Sequence, residues 1–344
     1  MMNDFGVTTA EEYLQFANNY LHWTPTESVS GRQIYSVLST FYFILDQPPL
    51  RDLQVPIEPY SIGRPLPWLS SWIVVYAQLM GQWMDTPPSL TNESLATFYA
   101  SPRYRLDEAL VPPGGWKNFN EFFGRKLVDG ARPVAPGKLI VTYPCDCSYD
   151  SAFDIDSNST IDVKGVQWNI DDLLHPSAYE DSFQGGVFMH AFLNTHNYHR
   201  QHAPVGGRVL EARVIQGAAY LEVQPDGTTL RALRRIPGPD AQDGTGYQFL
   251  QTRGLIVIET DDIGLVAILP IGMAQVSSVV LSVKPGDRIE KGDEISYFQF
   301  GGSDCVVVFQ KEAGLKDFDF HPSPDDPGYS LYGSLLAEAK PSLE

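Results

Sequence analysis

The sequence predicts an α+β chain, with a helical N-terminal region over residues 1–110 and a β-rich barrel-sandwich part over residues 111–344. Three observations carry this. Helix caps and helical apolar spacing fill the first hundred residues. From about Leu139, short β-rich runs alternate with Gly, Pro, Asn and Asp, the spacing of a compact barrel or sandwich. The chain is 43% hydrophobic and 12% aromatic, enough apolar material for a large core and too much for a disordered polymer.

The elements follow in order. Thr9 and Glu12 form a capping-box pattern ahead of Tyr13, Phe16, Ala17 and Tyr20. A second helix is expected from about Gly31 to Asp46, stopped by Pro48 and Pro49. A third runs from Pro67 to Met84, ahead of Pro87 and Pro88, and a fourth covers Ser94 to Tyr99. Asn118 to Leu127 gives a short helix leading into the loop DGARPVAPG. The expected strands are KLIVTY, GGVFMHAFL, GRVLEARVIQG, GLIVIET, IGLVAILPIG, AQVSSVVLSV, DEISYFQF and CVVVFQK. Two tight turns, Pro285-Gly286-Asp287 and Lys291-Gly292-Asp293, resemble those of the barrel-sandwich found in lipoyl and biotinyl carriers.

A formal net charge of −18 repels nucleic-acid phosphates and anionic headgroups, so neither nucleic acid nor a membrane is an expected partner. The start, MMNDFGVTTAEEY, lacks the basic and apolar regions of a secretory signal. The most apolar window, Trp68 to Trp83, is broken by Ser70, Ser71, Gln78 and Gln82 and reads as a buried helix. Three cysteines suit a reducing cytoplasm. Cys145 and Cys147 lack further ligands at zinc spacing, so they read as structural and no metal is expected.

Three features bear on chemistry. Asn197 to Pro204 (NYHRQHAP) places His199 and His202 three residues apart, which suits proton transfer; a metal pair or two core histidines would look the same. Gly301-Gly302-Ser303 frees a serine hydroxyl from neighbouring bulk, although a glycine-rich turn would do so too. Asp146 ends an apolar strand. Together they supply the nucleophile, base and orienting acid of acyl transfer. A serine hydrolase is one candidate, but no G-x-S-x-G elbow is present.

The same residues resemble the phosphatidylserine decarboxylase superfamily. That family carries Y-H-R-x-H-x-P, an earlier P-A-D-G and a C-terminal G-S-T cleavage site. Here stand Tyr198-His199-Arg200-Gln201-His202-Ala203-Pro204, Pro144-Cys145-Asp146 and Gly302-Ser303-Asp304. Phe119 to Phe123 (FNEFF), Arg125-Lys126-Leu127 and Ala131-Arg132-Pro133 are similar to the family's entry segment. The likeness covers about residues 116 to 311; Cys147 for glycine and Asp304 for threonine are the departures. The G-G-S junction and the added N-terminal helices look closest to the soluble fungal branch acting on L-tryptophan and other aromatic amino acids.

The resemblance implies a precursor that cuts itself between Gly302 and Ser303, leaving a pyruvoyl cofactor at residue 303. His202, oriented by Asp146, would take the Ser303 proton during the cut. Decarboxylation would then proceed through a Schiff base, with His199 returning a proton to carbon. The expected substrate is a free L-amino acid, aromatic in character; the residues that bind it are not readable. The two fragments are expected to stay associated, and a homodimer is one assembly the resemblance allows, the oligomeric state not being readable. The alternatives are a phosphatidylserine decarboxylase at a membrane and a carrier module. The carrier needs a modifiable lysine in a Met-Lys-Met or Asp-Lys-Ala setting, which neither Lys284 nor Lys291 has.

Overall fold

The computed structural model describes residues 2–163, 165–226, 229–232, 246–274, 278–300, 302–321 and 329–342. Its α-helices among the described residues are α1 (Ala10–Tyr20), α2 (Gln33–Leu45), α3 (Trp68–Met84), α4 (Asn92–Tyr99), α5 (Phe119–Phe123) and α6 (Ile170–Leu174). Thr9 caps α1 as expected: its side chain accepts from the Glu12 backbone while Glu12 reaches back to the cap. The fifth helix is shorter than its sequence pattern. Gly124 ends it, and Lys126–Leu127 instead pairs as a strand with Ala109–Leu110. No helix of the described residues is long and apolar enough to cross a membrane.

Ten strands build the frame of the site. They are β1 (Ser148–Asp154), β2 (Val187–Leu193), β3 (Arg200–His202), β4 (Gly207–Ile215), β5 (Arg253–Glu259), β6 (Leu265–Met273), β7 (Val279–Leu281), β8 (Arg288–Ile289), β9 (Glu294–Phe298) and β10 (Gly302–Phe309). Seven form one sheet in the order β8-β4-β5-β6-β10-β2-β1, and three form a smaller sheet, β7-β9-β3. The class is α+β, but among the described residues the sheets do not close into a barrel. The large sheet ends on β1 and on the two-residue β8, and each keeps an open edge.

The strand β10 lies inside this sheet, paired antiparallel to β6 on one side and β2 on the other. Successive side chains of a strand point to opposite faces. Cys305, Val307 and Phe309 accordingly enter one apolar cluster, while Val306 and Val308 enter another across the sheet. Burial on both faces explains the unbroken run CVVVF. A third cluster joins the N-terminal helices to the catalytic part: Ile34, Phe41, Ile73 and Met80 share it with Phe119, Phe123, Phe298 and Phe300. The helical region therefore packs directly behind the segment that precedes β10.

Candidate active site

Ser303 is fully buried, in register with Gly272 on β6 and Leu193 on β2. Its hydroxyl has no hydrogen-bond partner. Buried hydroxyls are ordinarily bonded, because leaving one unsatisfied costs about 1–3 kcal/mol. An orphan at this position is the feature that most needs a functional account.

The helix α5 holds the chain just ahead of it. The Phe300 backbone N–H donates to Asn120 Oδ1 at 2.9 Å, and Asn120 Nδ2 donates to Asp85 Oδ1 at 2.9 Å, which ties the contact to the end of α3. The Phe300 ring meets Phe119 and Phe123 edge-on, and Trp23 from the N-terminal region packs against it with centroids 6.1 Å apart. Phe123 also carries His199, stacking on the imidazole at 3.8 Å with an interplanar angle of 21°. One aromatic side chain thus touches both the histidine and the segment entering β10. The role of FNEFF as a bracket was not readable from its composition.

His199 is fully buried, and its carbonyl accepts from the Phe298 N–H at 2.9 Å. Arg125 fastens the approach to it, donating through Nη2 to the carbonyls of His196 and Asn197 at 3.2 and 3.3 Å. Outside α5, a cleft of about 620 Å³ is lined in part by Asn120, Gly124, Arg200, Tyr297 and Gln299.

His202 sits differently. Its Nδ1 lies 2.8 Å from the Gly292 carbonyl oxygen, and its Nε2 lies 3.0 Å from the Tyr198 hydroxyl. A carbonyl can only accept, so Nδ1 carries the proton and Nε2 is the basic nitrogen, accepting from Tyr198. Burial pushes the imidazole below its ordinary value of 6.5, against the smaller upward pull of the Gly292 carbonyl. If His202 is the base of the self-cleavage, the acid limb of the reaction should be centred below pH 6.5, the rate falling as pH drops through the lowered native value. Precursor conversion followed by gel against pH checks this; an acid limb centred at or above 6.5 would rule out the assignment.

Asp146 departs from the expected geometry. Its carboxylate is gripped by Arg132, with Nε 3.1 and 3.2 Å from the two oxygens and Nη2 2.7 Å from Oδ2. Tyr329 donates its hydroxyl to Oδ2 at 3.1 Å, and the Tyr332 N–H donates to Oδ1 at 2.9 Å. Both ring nitrogens of His202 are held by other groups, so the carboxylate does not orient it by a direct hydrogen bond. The physical reason is the guanidinium fork, which matches a carboxylate in two bonds where an imidazole offers one. Asp146 reaches His202 through Tyr332 instead, whose ring lies flat on the imidazole at 3.7 Å and 2°. Arg132 also pairs with Glu108 at 2.8 Å. Among the described residues, no cluster of His, Cys, Asp and Glu could hold a metal ion.

On this α+β frame a buried serine with an unpartnered hydroxyl follows a glycine directly, on a strand inside the main sheet. Residues 119–332 match the phosphatidylserine decarboxylase family model, and the chain belongs to that family. The matched segment opens on the first residue of α5 and closes on Tyr332. Among similar proteins, decarboxylase iboD of Amanita muscaria is 30% identical over 239 residues, 65% of this chain and 68% of that protein. Phosphatidylserine decarboxylase proenzyme 2 of Oryza sativa is 30% identical over 246 residues, covering 71% of this chain and 37% of the rice protein. The L-tryptophan decarboxylase of Psilocybe cyanescens is 28% identical over 223 residues, 62% of this chain and 51% of that enzyme. The named relatives are decarboxylases, which are carboxy-lyases.

Proposed function

We propose that this chain is a self-processing, pyruvoyl-dependent decarboxylase of a free aromatic L-amino acid, working in the cytoplasm. The observation that carries the reading is the buried, unpartnered hydroxyl of Ser303 directly after Gly302. Ser303 Oγ attacks the Gly302 carbonyl carbon, the peptide C–N bond breaks, and the hydroxyl proton passes through a base to the released nitrogen. The ester then loses Gly302 as a carboxylate, and hydrolysis of the dehydroalanine left at 303 releases ammonia. A pyruvoyl group fits where the serine stood, because no bond depends on the lost hydroxyl. Once formed, its carbonyl supplies the electron sink that decarboxylation requires.

The chain's own groups do the rest. His202, neutral and with Nε2 basic, takes the Ser303 proton, exchanging its Tyr198 hydrogen bond for that task. His199, fixed by Phe123, delivers a proton to the substrate carbon after loss of carbon dioxide. The two fragments stay joined because β10 keeps both ladders in the sheet.

The aromatic substrate is supported by the similarity to the Psilocybe enzyme and by the net charge of −18, which disfavours an anionic lipid surface. Trp68 is 75% and Trp72 37% exposed, so neither is buried as the apolar window over Trp68 to Trp83 suggests. Trp23 packs against Phe300, two residues before Gly302. The exposed stripe of Trp68, Trp72, Val75 and Leu79 on α3 favours a second reading, phosphatidylserine at a membrane surface. L-Tryptophan, L-tyrosine, L-phenylalanine and phosphatidylserine vesicles, offered separately without pyridoxal phosphate, distinguish the two. Amine and carbon dioxide are expected from an aromatic amino acid; turnover of vesicles alone would establish the lipid reading instead.

A further inference from the structure

On the face of the sheet away from the Ser303 side chain lies a charged cluster that the mechanism above does not use. His190 on β2 is buried between two carboxylates, Nδ1 3.2 Å from Asp150 Oδ2 and Nε2 3.2 Å from Asp304 Oδ2. Carboxylates only accept, so both ring nitrogens donate and the imidazole is a cation. Burial pulls its proton affinity down, but the two carboxylates outweigh it and push the value up to about 10. Asp150 is aimed at the ring by a bulge in β1, where the register against β2 slips between Tyr149 and Ser151. Tyr247 donates its hydroxyl to the same Asp304 oxygen, and the Gln248 side-chain amide lies 3.2 Å from His190 Nε2. Asp304 is fully buried.

The position of Asp304 gives the cluster its meaning. It follows Ser303, so it is the second residue beyond the proposed cut and the first after the new chain end. A severed strand frays from its new end unless that end is tied down. Residue 303 would be the fraying residue. Because Asp304 points to the opposite face, a tie made through it leaves the space around residue 303 open.

We infer that His190 and Asp304 are positioning residues whose buried pair anchors the new end of β10 after self-cleavage, holding residue 303 in place for substrate. The inference rests on the self-cleavage proposed above. Removing His190 leaves Asp304 a buried carboxylate without its cation, and removing Asp304 takes from β10 its own tie while His190 keeps Asp150, so both single variants should loosen the strand end.

The test uses His190→Gln and Asp304→Asn, each in the natural chain and in an uncut Ser303→Ala background. In the natural chain both should still yield two fragments, while kcat falls about 10²-fold, as expected when a reacting group is misplaced by about 1 Å, with KM little changed. The double variant should be no worse than the singles, since the pair acts as one unit. Amide hydrogen exchange at Asp304 and Cys305 should quicken in the cut variants and stay slow in the uncut background. That contrast separates an anchor from a general packing role, which would speed exchange in both. Cut variants with unchanged kcat and unchanged exchange overturn the anchor alone. A natural chain that remains a single active polypeptide overturns the cleavage reading, and the anchor with it.

Discussion

Ser303→Ala is expected to accumulate as one uncut polypeptide with decarboxylase activity at background. The substitution removes a single oxygen. That oxygen makes no hydrogen bond, so its loss strands no partner and opens almost no cavity in a strand packed on both faces. Folding should therefore be retained, with a thermal midpoint within a few degrees of the natural chain, given a surface-like effect of about 0.5 kcal/mol. What disappears is the nucleophile, and with it both the cleavage and the cofactor formed from it. Gel electrophoresis and intact mass read the first loss, and carbon dioxide release reads the second. In the natural chain the fragment starting at residue 303 should resist amino-terminal sequencing, because a pyruvoyl cap has no amine. A Ser303→Ala protein that is cut, or that turns substrate over uncut, would refute the mechanism.

Much of this site was legible because its chemistry sits in short, ordered segments. Tyr198 to Pro204 and Gly302-Ser303 stand out by residue type and spacing, and the resemblance to the family gives them their proposed roles. The Thr9–Glu12 cap was readable for the same reason, since its whole cause lies within four residues. Asp146 shows where local reading stops. The pattern marks it as acidic and near the site, but its grip by Arg132 and its route to His202 through Tyr332 depend on contacts spanning 14 and 130 or more residues of chain. The strand β1 was missed because SYDSAFD shows no clean alternation, its polar Asp150 being turned inward by a bulge to meet His190. His190 itself was hidden in the apolar run VFMHAFL, where a lone histidine reads as filler until its two carboxylate neighbours are known. The open sheet likewise escaped the strand count, because regular short strands look alike whether or not the edges meet.

The two histidines should separate cleanly on substitution. His202→Ala is expected to leave the precursor uncut or nearly so, since the basic nitrogen for the Ser303 proton is gone; the activity loss then follows from the missing cofactor. His199→Ala should still be cut, because His199 is assigned to the later step, and its matured form should turn over slowly. Withdrawal of a positioned acid or base typically costs about 10²–10⁴-fold, and the loss should fall on kcat with little change in KM. Packing sets a complication that the measurement must handle: His199 stacks on Phe123, which also braces Phe300, so alanine removes a support of the cleavage segment as well as a proton donor. His199→Phe restores the stack without the titratable nitrogens. A His199→Phe protein that is cut normally yet remains about 10²-fold or more slower locates the role in proton transfer. If instead His199→Phe stays uncut while folding normally, the imidazole serves maturation, and the proposed division of labour is wrong. Quantifying the cut fraction before each kinetic run is what makes the comparison decisive, because in the proposed mechanism only cut chains would carry the carbonyl needed for turnover.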